Sequence, residues 1–347
     1  MKKVFLSFIL LLAAVPSFCC TTVIVSAKAS ASGRPLLWKQ RDSSTELNCV
    51  EHFDGPGHAF TGIVNSSDIA RESVWGGAND AGFGIMNSQS YGLSPVIRPD
   101  SQRIWEGVIM KRALMTCVTV DDFQKLLDGL SSPNFLEANF GVIDAYGAAA
   151  YFEVHDNGYR RFDVTDGEYA IRTNYSLTGR EGEGKGYDRY EFASGKMAGM
   201  NGGFTPEWLI DNIGRDPLVA RKNTVSSFVI EGVGKDDRKD SSVIWCALGN
   251  PRFSYIVPVW VSAGKDIPSF LASENGSGAE LNTLAVSLKK LNKDVLSIVK
   301  ERETIEINEG KNRDAIFRKK GFFSEVVAEY NEAALERFNK FKSKISL

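Results

Sequence analysis

Cys20-Thr21-Thr22-Val23-Ile24-Val25, a turn at Ala31-Ser32-Gly33-Arg34, and the return Leu36-Leu37-Trp38-Lys39-Gln40-Arg41-Asp42 form the stretch around which the chain is read. Residues 21–27 are β-branched and apolar, which predicts a strand entering a core, and Leu36 to Asp42 predicts a second strand. What precedes Cys20 fixes how that strand begins. Lys2 and Lys3 are followed by an apolar run from Val4 to Val15, interrupted only by Ser7, then by Pro16 and Ser17-Phe18-Cys19. This is the layout of a secretory signal peptide, too short for a comfortable permanent span. Cleavage after Cys19 places small residues at the two positions signal peptidase reads, and Cys20 becomes the first residue. A cut nearer Ala14 with later trimming is a second route. The expected location is exported, either periplasmic or secreted.

A cysteine with a free α-amine carries a nucleophile and a base on one residue. The thiol ionises with a reference pKa of about 8.5 and the amine near 7.7–8.0, so the amine can take the thiol proton close to neutrality. Histidine is scarce (His52, His58 and His155), and no HExxH or CxxC spacing occurs. No metal or redox cofactor is expected. Five cysteines are present, Cys19, Cys20, Cys49, Cys117 and Cys246. Losing Cys19 and keeping Cys20 free leaves an odd number, which fits poorly with a disulfide framework. Cys117 and Cys246 lie in apolar patterns and read as buried small hydrophobes.

Further strands are predicted at 59–64, 73–78 and 83–88, with Asn79-Asp80-Ala81-Gly82 as a hairpin connection. A helix follows with Ile104, Trp105, Val108, Ile109, Leu114 and Cys117 on one face. A second, near 120–130, has Thr119 as N-cap and Asp122 in the capping-box position. Strands return at 139–144, 148–154, 159–164 and 168–174. Thr205-Pro206 opens another helix, and strands follow near 224–230, 241–247 and 254–262. After Gly264 a Ser/Gly-bearing connection leads to helices at 280–301 and 313–345. The second of these has an apolar stripe of Val326, Val327, Tyr330, Ala334, Leu335 and Phe338. Strand groups separated by helix pairs predict a layered α+β domain with mostly antiparallel sheets. The expected divisions are a signal peptide at 1–19, a main domain at 20–265, and a linker with C-terminal helices packing on the core at 266–347.

The balance of 41 basic and 43 acidic side chains over 347 residues gives a formal charge of -2. That leaves no electrostatic footprint for nucleic acid. With 43% hydrophobic and 24% charged residues, the composition is that of a globular protein rather than a disordered or fibrous one. No stable membrane insertion is expected, and a homo-oligomer is left open.

The Cys20-Thr21-Thr22 start and the second strand ending at Asp42 resemble the opening of N-terminal-nucleophile (Ntn) cysteine hydrolases. The nearest groups are the acyl-coenzyme A:6-aminopenicillanic acid acyltransferase-like family (peptidase C45) and the choloylglycine hydrolase/penicillin V acylase group. In those, a second strand brings an Arg and, three residues later, an Asp to the nucleophile; Lys39 and Asp42 stand at these positions. Lys39 keeps the charge but not the bidentate geometry, so Arg41 is the other candidate for the basic partner. Lys39 and Asp42 differ by an odd number, so a bulge or strand end near Arg41 is expected. Gly77-Ala78-Asn79-Asp80-Ala81-Gly82-Phe83-Gly84-Ile85-Met86-Asn87-Ser88 is similar to the family hairpin whose end helps form the oxyanion hole. Asn87 is the first choice there and Ser88 the alternative. Arg172-Thr173-Asn174-Tyr175 resembles the family's Thr-Asn, so Asn174 is expected to donate to the oxyanion. Arg221 is the candidate for a distal arginine.

The resemblance implies a four-layer αββα sandwich of two antiparallel sheets. It also implies hydrolysis of linear amide bonds in small N-acyl amides, through a Cys20 acyl-enzyme. An acyltransferase or dipeptidase of the same superfamily, and a non-enzymatic envelope lipoprotein or binding protein, are the rival expectations.

Overall fold

A computed structural model describes residues 20–93, 105–134 and 136–345. The proposed signal peptide, Cys19 and Ile104 lie outside the described residues. Two antiparallel sheets form the centre. The first has six strands in the order β10-β1-β2-β11-β12-β13. These are β1 (Thr21–Val25), β2 (Leu36–Asp42), β10 (Tyr169–Arg172), β11 (Thr224–Glu231), β12 (Val243–Leu248) and β13 (Val257–Trp260). The second sheet is a seven-strand meander in chain order. It comprises β3 (Asn48–Phe53), β4 (Phe60–Asn65), β5 (Gly76–Asn79), β6 (Gly84–Gln89), β7 (Ala138–Ile143), β8 (Ala149–His155) and β9 (Gly158–Asp163).

The sheets stack with β1 and β2 against β6 and β7. Outside the meander lie α1 (Glu106–Thr116), against β5 and β6, and α2 (Val120–Asp128), against β9. Outside the other sheet lie α3 (Tyr187–Ala198), α4 (Pro206–Leu209), α5 (Glu280–Lys290), α6 (Leu296–Lys320) and α7 (Ser324–Ile345). The order helix, sheet, sheet, helix is the αββα sandwich that the resemblance implied, and it agrees with the layered α+β reading of the sequence. Helices cover the outer faces, so β1, β2, β11 and β12 are buried along their whole length. Strands covered on both faces read as continuous apolar runs rather than alternation.

Local chemistry explains the elements that carry the site. In the β5–β6 hairpin, Asn79 Oδ1 accepts from Ala81 N (3.1 Å) and Phe83 N (2.9 Å). Its Nδ2 donates to the carbonyls of Leu114 (2.9 Å) and Cys117 (2.8 Å), tying the turn to the end of α1. Thr119 and Asp122 form the expected capping box on α2. Thr205 caps α4, with Pro206 at its first position.

Several boundaries differ from the sequence reading. Strand β3 was not predicted; it is the meander's edge strand, and its outer half is only partly buried. Helix α3 was also not predicted, since its N-cap is Gly186 and no polar side chain announces it. Strand β10 stops at Arg172, which leaves Thr173 and Asn174 beyond the strand end. On α1, Trp105 and Val108 are exposed, and the buried stripe is Ile109, Met110, Ala113 and Leu114. The C-terminal pair is three helices, broken at Asn292 (φ 48°) and at Gly321 (φ 89°). Leu335 lies on the exposed side of α7, whereas Val327, Tyr330, Ala334 and Phe338 are buried.

Candidate active site

Cys20 sits immediately before β1, at the mouth of the gap between the sheets. Thr21 pairs with Gln40 and Thr22 with Lys39. One step further along that register, Cys20 falls across from Arg41. Residues two apart on a strand share a face, so Lys39 and Arg41 both point between the sheets, with Thr22. Tyr151 on β8 identifies this face, since its hydroxyl donates to Thr22 Oγ1 across the gap (3.0 Å). The alternation sends Trp38 and Gln40 outward, to Ser227 Oγ and Gly214 O. The two basic candidates are therefore neighbours in one site.

Lys39 is 1% exposed. Its Nζ donates to Asn87 Oδ1 on β6 (2.6 Å) and to Trp75 O (2.8 Å). This fixes which end of the Asn87 amide accepts, and leaves its N–H groups to face elsewhere. Arg41 Nη2 donates to Asn65 Oδ1 (2.8 Å), Nη1 donates to Asn48 Oδ1, and the guanidinium lies 4.7 Å over the Trp75 ring.

Asp42 ends β2. The register slips here: Arg41 pairs with Ser226 and Asp42 with Thr224, leaving Val225 as an extra residue. The irregularity expected near Arg41 exists, but the extra residue is on β11 rather than β2. Thr224 Oγ1 donates to Asp42 Oδ1 (2.6 Å), and Oδ2 is buried with no hydrogen-bond partner among the described residues. The Cys20 thiol approaches the main-chain oxygen of Asp42 (3.9 Å). Arg221 is exposed. Its charge reaches Asp42, and its main-chain N–H donates to Thr224 Oγ1 (2.9 Å).

Asn174 is fully buried just past β10, the strand beside β1. Its Nδ2 donates to Gln89 O (2.6 Å), which uses one of its two amide hydrogens. Its Oδ1 accepts from Arg189 Nη2 (2.8 Å). Ser88, the alternative to Asn87, donates its hydroxyl to Thr173 O (2.7 Å) and so holds the Asn174 turn.

Arg189 was missed by the sequence reading. From α3 its Nη1 donates to Cys20 O and to Thr21 Oγ1 (2.7 Å), while Nη2 holds Asn174. One guanidinium thus locks the nucleophile's main chain to the amide donor. A Cβ on Gly186 (φ 82°) would stand 2.2 Å from Arg189 Nη2, so glycine makes room for this contact. A fully buried arginine inside an unrecognised helix carries no spacing signal that would have found it.

Burial dominates the electrostatics. It pushes the Cys20 thiol up, offset mainly by the Lys39 cation. It pulls Lys39 down to about 7, opposed by Cys20. It pushes the Asp42 carboxyl up to about 7, opposed by the Thr224 hydrogen bond and then by Arg189. Lys39 and Asp42, ordinarily far apart in pKa, are both drawn toward neutrality beside one sulfur, as acid–base sites require. The other described cysteines, Cys49, Cys117 and Cys246, are buried and free. Burial pushes Cys246 up to about 12 and Cys117 up to about 11. The histidines are occupied elsewhere: His52 with Thr61, His58 with Asp80, and His155 with the Asn157 main chain.

No family model and no curated protein matches the chain. Among solved structures it is similar to a Caenorhabditis elegans N-acylethanolamine-hydrolyzing acid amidase ortholog (TM-score 0.47, 13% identity, 61% of this chain and 92% of that one). It is similar also to a mutant of conjugated bile acid hydrolase from Clostridium perfringens (TM-score 0.47, 10% identity, 70% and 92%). A third similar structure is penicillin V acylase from Agrobacterium tumefaciens (TM-score 0.47, 12% identity, 70% and 86%).

Proposed function

We propose that this chain is an exported amidohydrolase that cleaves linear amide bonds of N-acylated substrates, with Cys20 as the N-terminal nucleophile. Removal of residues 1–19 frees the α-amine of Cys20. The amine takes the thiol proton, and the sulfur attacks the amide carbonyl. Asn174, which retains an amide hydrogen, and Asn87 donate to the oxyanion. The tetrahedral adduct collapses, the C–N bond breaks, and the α-ammonium returns its proton to the departing amine. Water, deprotonated by the same amine, then opens the thioester to release the acid and restore the thiol. Asp42 Oδ2, buried and without a partner among the described residues, accepts from the α-ammonium. Lys39 sustains the thiolate and, through Asn87, aligns an oxyanion donor.

The observation that carries this reading is the convergence on Cys20 of Lys39 and Asp42 from β2 and Arg189 from α3, in a chain whose histidines lie elsewhere. The test is turnover of a panel of N-acyl amides by wild type, Cys20→Ser and Cys20→Ala. We expect activity to fall by at least ~10³-fold in both variants, as for loss of a covalent nucleophile. Undiminished turnover in Cys20→Ala discards the mechanism.

A further inference from the structure

The turn that carries Asn174 is braced from across the gap by a polar row on the opposite sheet. Ser88 on β6 pairs directly with Asn139 on β7, and Asn139 pairs with Glu153 on β8. Directly paired residues on neighbouring strands share a face. Glu153 lies two residues beyond Tyr151, whose hydroxyl crosses the gap to Thr22, so the row faces the six-stranded sheet. All three side chains are fully buried, and all three reach the main chain of residues 173–178. Ser88 Oγ donates to Thr173 O (2.7 Å). Asn139 Nδ2 donates to Thr173 O (3.4 Å) and Tyr175 O (3.3 Å), the carbonyls on either side of Asn174. Glu153 Oε1 accepts from Leu177 N (2.7 Å), and Oε2 accepts from Thr178 N (3.1 Å) and Thr178 Oγ1 (2.8 Å).

Packing alone does not call for such a row. A buried carboxylate carries a desolvation cost, which the ion pair with Arg172 Nε (3.4 Å) offsets in part. Asn139 Oδ1 is buried without a hydrogen-bond partner among the described residues, which is a further cost. Apolar side chains of similar volume would fill the space without either. Polar rows of this kind are retained where they fix one geometry. Here the geometry fixed is that of the main chain: both carbonyls flanking Asn174, and the N–H groups three and four residues beyond it. Leu177 and Thr178 are exposed, so burial of their own side chains does not anchor the segment. From α3, Arg189 fixes the Asn174 side-chain oxygen; the row fixes the backbone on which that side chain stands.

We propose that Glu153, with Asn139 beside it, is a positioning residue for the oxyanion donor: it clamps the 173–178 segment so that the Asn174 amide is already aimed when the substrate carbonyl arrives. The inference rests on the amidase reading above, in which Asn174 donates to the oxyanion. Glu153 itself touches no reacting atom; its effect passes through the main chain. A donor preset in this way needs no reorganisation as the charge develops. Because the oxyanion exists only in the transition state and the intermediate, a displaced donor costs rate rather than binding.

Glu153→Gln keeps the shape of the side chain but turns an amide N–H toward one of the two main-chain N–H groups, which opens the clamp. Amide hydrogen exchange over the peptide 173–178, read by mass spectrometry, should speed up at least ~10-fold at Leu177 and Thr178, with the other strands little changed. On an N-acyl amide kcat should fall by ~10–10²-fold, with KM changed by less than about threefold. Added to Asn174→Ala, the same substitution should cost less than about threefold more, since a residue that acts through Asn174 then has nothing to position. Glu153→Asp keeps both acceptors and should recover part of the loss. Thr178→Val, at the exposed end of the clamp, removes one donor and should lower kcat by about threefold. Melting curves identify a variant that fails to fold; should Glu153→Gln be one, Thr178→Val takes its place, and unchanged exchange and kcat in it overturn the proposal. Unchanged exchange in a folded Glu153→Gln overturns the clamp whether or not substrate is turned over. A loss of kcat that multiplies with that of Asn174→Ala, or a loss confined to KM, overturns the positioning role. Absence of turnover by wild type rejects the amidase reading instead, and the exchange result then still decides the clamp.

Discussion

At the scale of the residue, the site holds two buried groups whose titrations pull stability in opposite directions. Burial pushes Asp42 from 3.8 up to about 7, so the native state keeps a proton that the unfolded state has lost. Stability therefore falls as pH rises between these values, and the penalty is complete above the higher one. Asp42→Asn should raise the melting temperature by several degrees at pH 8 and by little at pH 4, while activity is lost. Lys39 runs the other way. Its pKa falls from 10.5 to about 7, so the penalty is complete below 7 and relieved as pH rises toward 10.5. Lys39→Met should stabilise most at pH 6. Melting curves of both variants from pH 4 to 10 check the pair of signs, and parallel curves would contradict the burial argument. Arg189 predicts a different pattern. Because it holds both Cys20 and Asn174, Arg189→Met should lower kcat by about 10²-fold, on the scale of one oxyanion donor, with KM changed far less. Cys20, Asp42, Asn87, Asn174 and Lys39 were singled out in advance through short motifs that resemble those of a known family, and the structure brings them into one region. Arg189 and the part played by Trp75 were not, because each acts through tertiary contact and neither lies in a spaced pattern.

At the scale of the element, the site depends on one irregularity. Val225 is the additional residue on β11 that lets Asp42 pair with Thr224 while Arg41 and Lys39 stay between the sheets. Deleting Val225 shifts the register by one residue and turns following side chains to the opposite face. The deletion should abolish activity and destabilise the fold, whereas Val225→Ala should cost only the cavity, about 1–3 kcal/mol; chemical denaturation of the two separates register from packing. The strands and the β5–β6 hairpin were readable because burial on both faces leaves continuous apolar runs and because Asn79 to Gly82 is strong turn chemistry. Strand β3 was not, since an edge strand with a half-exposed end has neither alternation nor a long apolar run. The breaks between the last helices were hidden for a related reason. Asn292 and Gly321 interrupt lysine- and glutamate-rich sequence whose helical preference continues on both sides.

At the scale of the molecule, the C-terminal helices are fastened to the body of the domain and to each other by largely buried charges. Arg34 binds Asp314, Arg215 binds Glu303, and Glu306 receives Tyr330 and Arg337. Trp260 of β13 lies edge-on to Phe317 and Tyr330. The sandwich and its C-terminal helices therefore share a hydrophobic core, and the site lies in the gap between the sheets, where β1 and β2 face β6 and β7. Asp314→Ala leaves Arg34 buried without its closest carboxylate and should cost about 3–5 kcal/mol, read from denaturant midpoints.

The most direct test concerns the α-nitrogen of Cys20. Two forms are compared by intact mass and by turnover of one N-acyl amide, one beginning at Cys20 and one carrying a single alanine before it. The sulfur is present in both, but only the first has an α-amine on the same residue. The account predicts hydrolysis by the form that starts at Cys20 and a loss of at least ~10²-fold in the extended form, the range for general acid–base catalysis. Equal turnover by the two, with the added alanine still in place by mass, would contradict it.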